Sequence, residues 1–155
     1  VKRYGPLIAV SGALAVGDPG RYHLRLTPEA VILREGVENR GILSWPDVES
    51  IALDVPTTKF RLPGLVGTIV LGALTAVVLS DLGVDPDDGA VTLTVDGEVT
   101  TVPLSRHHVG GYWAPTVDGA HRLLAHLIEN PEQRALLAHP EPLIDIAAQL
   151  ARESV

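Results

Sequence analysis

The chain has no cysteine and no methionine, and its aromatic residues are two tryptophans, three tyrosines and one phenylalanine. Without thiols there is no disulfide framework, no thiolate metal site and no thiol nucleophile. The fold therefore owes nothing to an oxidising compartment, which fits a cytoplasmic setting. With so few rings, the core has to be aliphatic. Basic residues are also scarce: twelve Lys and Arg stand against nineteen Asp and Glu, a formal net charge of −7. Nucleic-acid binding needs a basic stripe to displace condensed counterions and is disfavoured, as is an anionic membrane surface. Only Lys2-Arg3 and the Lys59/Arg61 pair bring positive charges close together, and neither pair makes a patch.

What the chain has in quantity is aliphatic residues. At 155 residues and 46% hydrophobic it can bury a core and suits one domain over 1–155. The start, "VKRYGPLIAVSGALAVG", has a basic end, an apolar stretch and Ala13-Leu14-Ala15, as a signal peptide would. Its apolar part is short and broken by Gly12, so a first strand or short helix is the favoured reading.

Turn chemistry divides the rest. Asp18-Pro19-Gly20 predicts a corner, with Gly20 at the position that accepts positive φ. "YHLRLT" (22–27) alternates as a half-buried strand, "TPEA" turns, and "VILRE" (31–35) returns. "ENRG" (38–41) reads as another turn before "GILSW", Pro46 interrupts, and 47–55 resumes with Val48, Ile51 and Leu53 facing inward. Asp96-Gly97 between two β-rich runs predicts a type I′ hairpin of strands 90–95 and 98–103. "SRHHVGGYWAP" reads as a loop. Thr116 is placed to cap a helix over 117–129 with a stripe of Val117, Ala120, Leu123, Leu124, Leu127 and Ile128. Short helices follow at 132–138 and 142–153, a helical extension over 131–155. Strands first and helices last predict an α+β fold with an antiparallel meander.

"YHLRLTPEAVILREG…RGILSWPDVESIALDV", then "GAVTLTVDGEVTTVPL" and an amphipathic helix, resembles the bacterial pleckstrin-homology-like domains. The shared phrase is Ile/Leu-x-Trp-x-x-Ile/Val-x-x-Ile, here Leu43 to Ile51, and the likeness covers roughly residues 20–55 and 88–129. It implies a bent antiparallel PH-like sheet or barrel, plugged at one end by a C-terminal capping helix and carrying extra C-terminal helices and an apolar insertion at about 60–85. In lipid-binding members the loop between the first two strands is basic. Here it is Thr27-Pro28-Glu29-Ala30, which speaks against phosphoinositide.

The insertion itself, "LPGLVGTIVLGALTAVVLS" (62–80), is nineteen residues without a charge. As a helix it would reach about 28 Å, close to the roughly 30 Å of a hydrocarbon core. Gly64, Thr68, Gly72, Ala76 and Ser80 recur every fourth residue, a face of small residues that a second helix can approach. Lys59 and Arg61 before the run and four aspartates after it place its start on the cytoplasmic side if it meets a bilayer. A single crossing would separate strands 22–55 from strands 90–103, which a shared sheet forbids. Three readings stand: a segment buried on the sheet or on a second copy, a membrane-dipping segment, and a pair of strands.

Chemistry-bearing patterns are weak. His107 and His108 are adjacent, so in extended chain they point apart. His121 and His126 lie five apart on a helix and read as solvated positions. Asp85-Pro86-Asp87-Asp88-Gly89 lacks the ligand spacing of a calcium loop, and no serine sits in a nucleophile elbow. The glycines of "GALAVGDPG" lack the Lys-Ser/Thr of a phosphate loop, so no cofactor or metal is expected. Trp45 reads as a core ring beside the Pro46 bend. Tyr112-Trp113 reads as an anchor burying both rings, with a partner-facing hot spot as the alternative. The expectation is a non-enzymatic interaction module at the cytoplasm or inner membrane surface, binding itself or another protein through Gly64, Thr68, Gly72, Ala76, Ser80, Tyr112 and Trp113. The alternative is a membrane-associated protein with 62–80 in contact with lipid.

Overall fold

The structure, a computed structural model, describes residues 2–55, 57–58, 89–106 and 111–153. The apolar run with Gly64, Thr68, Gly72, Ala76 and Ser80, the acidic turn at 85–88, and His107 and His108 lie outside the described residues.

Six strands follow one another as an antiparallel meander: β1 (Arg3–Tyr4), β2 (Leu7–Val10), β3 (Ala13–Gly17), β4 (Tyr22–Leu26), β5 (Ala30–Glu35) and β6 (Glu38–Ser44). The N-terminal apolar stretch is therefore three strands, and Ala13-Leu14-Ala15 lies buried within β3. The Asp18 corner is present: its side chain accepts from the Gly20 N–H at 2.9 Å and its carbonyl from the Arg21 N–H at 3.0 Å. Gly20 does not take positive φ there, so the corner needs no glycine. The turn expected at 38–41 is displaced. Gly36, at φ 58, and Val37 make the turn, while Glu38 pairs with Glu35 inside the ladder. A positive φ at one of two residues suffices to reverse the chain, and the polar residues that follow tolerate an exposed edge strand.

Trp45, Pro46 and Asp47 form a 3-10 turn that ends this sheet. β7 (Val48–Asp54), β9 (Ala90–Val95) and β10 (Glu98–Pro103) then form a second antiparallel sheet in the order β10-β9-β7. The Asp96-Gly97 hairpin is as expected, with φ of 50 and 82 at its two residues. In β7 the register slips between Val48 and Ser50, and this irregularity lets Val48 and Ile51, three apart, both face the core. Among the described residues the two sheets do not close into the barrel that the resemblance implies. They are stitched at their corners instead. Asp96 N–H donates to Asp47 O at 3.2 Å, and Ser105 bridges Asp18 N–H and Tyr22 O, each at 2.8 Å.

A two-residue parallel pair, β8 (Thr57–Thr58) with β11 (Tyr112–Trp113), leads into α1 (Ala114–Glu129). α1 begins three residues before the predicted start. Pro115 occupies its first turn, and the Thr116 hydroxyl, already inside the helix, donates to the Trp113 carbonyl. Residues 131–138 form a 3-10 helix, and α2 spans Glu141–Glu153. The α1 stripe is fully buried at Ala120, Leu123, Leu124 and Leu127, facing β7 on one side and Leu143, Ile144 and Ala147 of α2 on the other. One continuous aliphatic core joins both sheets and both helices around Trp45. The architecture is α+β, with two antiparallel sheets and a C-terminal helical layer.

Gly119 sets the closeness of the two helices: a Cβ there would sit 2.6 Å from the Ala147 carbonyl oxygen and 3.0 Å from the Tyr4 ring. Helix propensity alone favours alanine by about 1 kcal/mol. Overlap with a backbone oxygen, which cannot rotate away, costs about 1–3 kcal/mol. Gly119→Ala should therefore destabilise the protein, seen as a lower midpoint in urea unfolding. An unchanged or higher midpoint would show that the helices sit further apart.

Candidate interaction site

The site starts with an alternation. In an extended chain successive side chains point to opposite faces. Tyr112 opposes Thr57 and Trp113 opposes Thr58 across the short parallel pair. Tyr112 is driven into the core at 1% exposure, and the next ring, Trp113, is thrown outward at 61%. The expectation that both rings are buried holds for Tyr112 and fails for Trp113. A two-residue strand permits only one of them to face in. Trp113 is also the residue before α1, so the rigid helix start fixes where its indole stands.

The same region is where the apolar run departs and returns. Asp54, at the end of β7, is the register partner of Ala90, at the start of β9, and Thr57-Thr58 lie just before the run. The chain leaves and re-enters the fold at one end of one sheet. A single bilayer crossing between Asp54 and Ala90 would separate hydrogen-bonded partners and is excluded by this ladder. Among the described residues no helix is long and apolar enough to cross a membrane, and no group of three or more metal-ligating side chains gathers. Of the seven predicted contact residues, only Tyr112 and Trp113 are described.

His121 was expected to be solvated; instead it is half-buried against β7, and the Leu53 N–H donates to its Nε2 at 2.7 Å. β7 is an edge strand, and α1 covers its amide through this ring. Nothing in the helical spacing of His121 signals this contact, because the partner is a backbone group 68 residues away. His126 stays near the C-terminal end of α1, where the Asn130 side chain donates to its carbonyl at 2.9 Å. At the same end Arg134 donates to the Leu127 and Ile128 carbonyls at 2.8 and 2.9 Å, with its guanidinium 5.0 Å from the centre of the Trp45 ring. The Trp45 indole N–H donates to Thr27 O at 2.7 Å. The ring that the sequence placed in the core also ties the 27–30 turn to the helical layer.

Compared with protein-family models, curated proteins and solved structures, the chain matches none.

Two histidines carry a pH dependence. Burial holds His121 below the ordinary imidazole range, and Nε2 can accept the Leu53 N–H only when unprotonated. Burial also lowers His23, assisted by the Arg34 and Arg25 charges and opposed by its hydrogen bond to Arg21 O. In the unfolded chain both rings take up a proton near pH 6.5, while the folded protein resists. Stability should be fully present above about pH 6.5 and fall as pH drops toward the depressed folded values. Urea titrations between neutral and mildly acidic pH should show this loss, and His121→Gln should make it shallower by one proton. An identical slope in the variant would mean that His121 titrates normally.

Proposed function

We propose that this chain is a pleckstrin-homology-like interaction module without enzymatic activity, and that it self-associates at the surface where the apolar run leaves the sheet. The observation that carries the reading is Trp113, 61% exposed at a rigid strand–helix junction beside the root of a nineteen-residue uncharged segment. A large ring is seldom left in water without a partner, and tryptophan is the residue type most enriched at binding hot spots. A second antiparallel sheet after the Trp-Pro turn and a C-terminal helix support the pleckstrin-homology-like reading.

The turn at 27–30 supports a protein partner over an inositol phosphate. Thr27 and Ala30 close it on themselves through three hydrogen bonds, and it contains no basic residue. The alternative reading, attachment to a membrane surface, would use the same indole as an interfacial anchor.

Trp113→Ala should weaken self-association at least about tenfold, the scale of an interface hot spot, while leaving the unfolding midpoint within about 0.5 kcal/mol of wild type. Sedimentation of the detergent-free protein reads the first and urea unfolding the second. Gly72→Leu, which fills the predicted small-residue face, should weaken association as well. A wild-type chain that stays monomeric at high micromolar concentration would overturn the self-association. Co-flotation with vesicles, lost in Trp113→Ala, would establish the membrane reading in its place.

A further inference from the structure

The two larger sheets have four edges between them, and the open backbone groups of an edge strand pair with another strand unless something prevents it. Three of the four are blunted. β1 is only two residues long. β6 carries a bulge, marked by the register slip between Leu33 and Arg34, and its Arg40 is held by Glu35 and Glu38 at 3.1 and 3.2 Å. β7 lies under α1, whose His121 takes the Leu53 N–H. β10 has no such device. Its pairing with β9 is unbroken, and its one charged side chain is Glu98, at its first residue.

The Asp96-Gly97 hairpin settles which groups of β10 face outward. A two-residue type I′ loop is closed by a hydrogen-bonded pair, here Val95 with Glu98. Pairing then alternates. Glu98, Thr100 and Val102 bond to β9, while Val99, Thr101 and Pro103 turn their backbone groups away from it. Further along, Ser105 is already engaged: its N–H donates to Tyr22 O and its carbonyl accepts from the Asp18 N–H, both at 2.8 Å. Proline has no N–H to offer. What stays open is the N–H and C=O of Val99 and of Thr101, which meet no other backbone group among the described residues. The Val99 side chain is 68% exposed, so this edge stands in solvent.

We propose that β10 pairs antiparallel with β10 of a second copy about a two-fold axis at Thr100, joining two three-stranded sheets into one. In that register Val99 of each copy exchanges both backbone hydrogen bonds with Thr101 of the other, and neither residue keeps an open N–H. The two Thr100 side chains meet in a close cross-strand pair, a favourable threonine contact. Charge permits the pairing. Glu98 lies opposite Val102, and the two Glu98 carboxylates stand four residues apart along the ladder, about 13 Å at roughly 3.4 Å per residue. That exceeds the screening length of about 8 Å in physiological salt. Pro103 falls opposite Gly97, where the surroundings are open. This contact is independent of the one around Trp113.

Amide hydrogen exchange of the full chain, followed residue by residue by NMR from low to high micromolar concentration, tests it. The Val99 and Thr101 amides should exchange fast when dilute and slow about tenfold once most chains are paired. Val99→Lys sets like charges diagonally across the ladder from an exposed position, and should abolish the slowing while leaving the urea midpoint unchanged. Val99→Thr keeps an uncharged β-branched residue and should retain it. Trp113→Ala should retain it too, which separates failure of this contact from failure of the association around Trp113. Exchange at Val99 and Thr101 that ignores concentration overturns the proposal, whether or not the chain associates elsewhere. Slowing that survives Val99→Lys, or disappears in Trp113→Ala, overturns it as well.

Discussion

The pairing of β7 with β9 is the constraint on which the rest of the structure depends. Asp54 and Ala90 are opposed in one antiparallel ladder although 35 residues separate them in the sequence. That ladder makes the second sheet, supplies the floor on which α1 lies, and returns the chain to the point it left. Loop-closure cost rises only slowly with length, so an insertion of this size is affordable once the strands on either side pair well. The ladder earns its stability from Ile51, Leu53, Val91 and Leu93, all buried.

Around this ladder, a small number of polar contacts connect the layers. His121 joins α1 to the edge of β7, Ser105 joins β10 to β4, and Arg134 with Trp45 joins the end of α1 to the end of the first sheet. Each uses a backbone group that would otherwise be buried without a partner, which is why a single hydrogen bond at such a place counts for more than a surface ion pair. The surface pairs, Lys2 with Asp145 and Asp118 with Arg122, are exposed and add little.

The local irregularities lie where the two sheets fail to cover themselves. At one end, alternation in a two-residue strand leaves an indole outside beside the root of the apolar run. At another corner, a bulge turns Arg40 toward Glu35 and Glu38. Both arise from a local break in regular pairing, and breaks of this kind are where an otherwise satisfied sheet has groups left to offer.

The sequence by itself determined the strand alternation at 22–26, the Asp96-Gly97 hairpin, the apolar stripe of α1 and the burial of Trp45, because each follows from neighbours within a few residues. It also drew attention to the aromatic pair at 112–113. Only the tertiary structure decided which ring of that pair faces water, because that depends on Thr57-Thr58 arriving alongside. It alone decided that His121 serves a strand amide rather than solvent, and that the meander and the second sheet stay unclosed. Likewise Arg40 meets Glu35 and Glu38 only because the register slips between Leu33 and Arg34. Local patterns are written in residue spacing; contacts between distant segments are set by packing and register, which no short stretch of sequence contains.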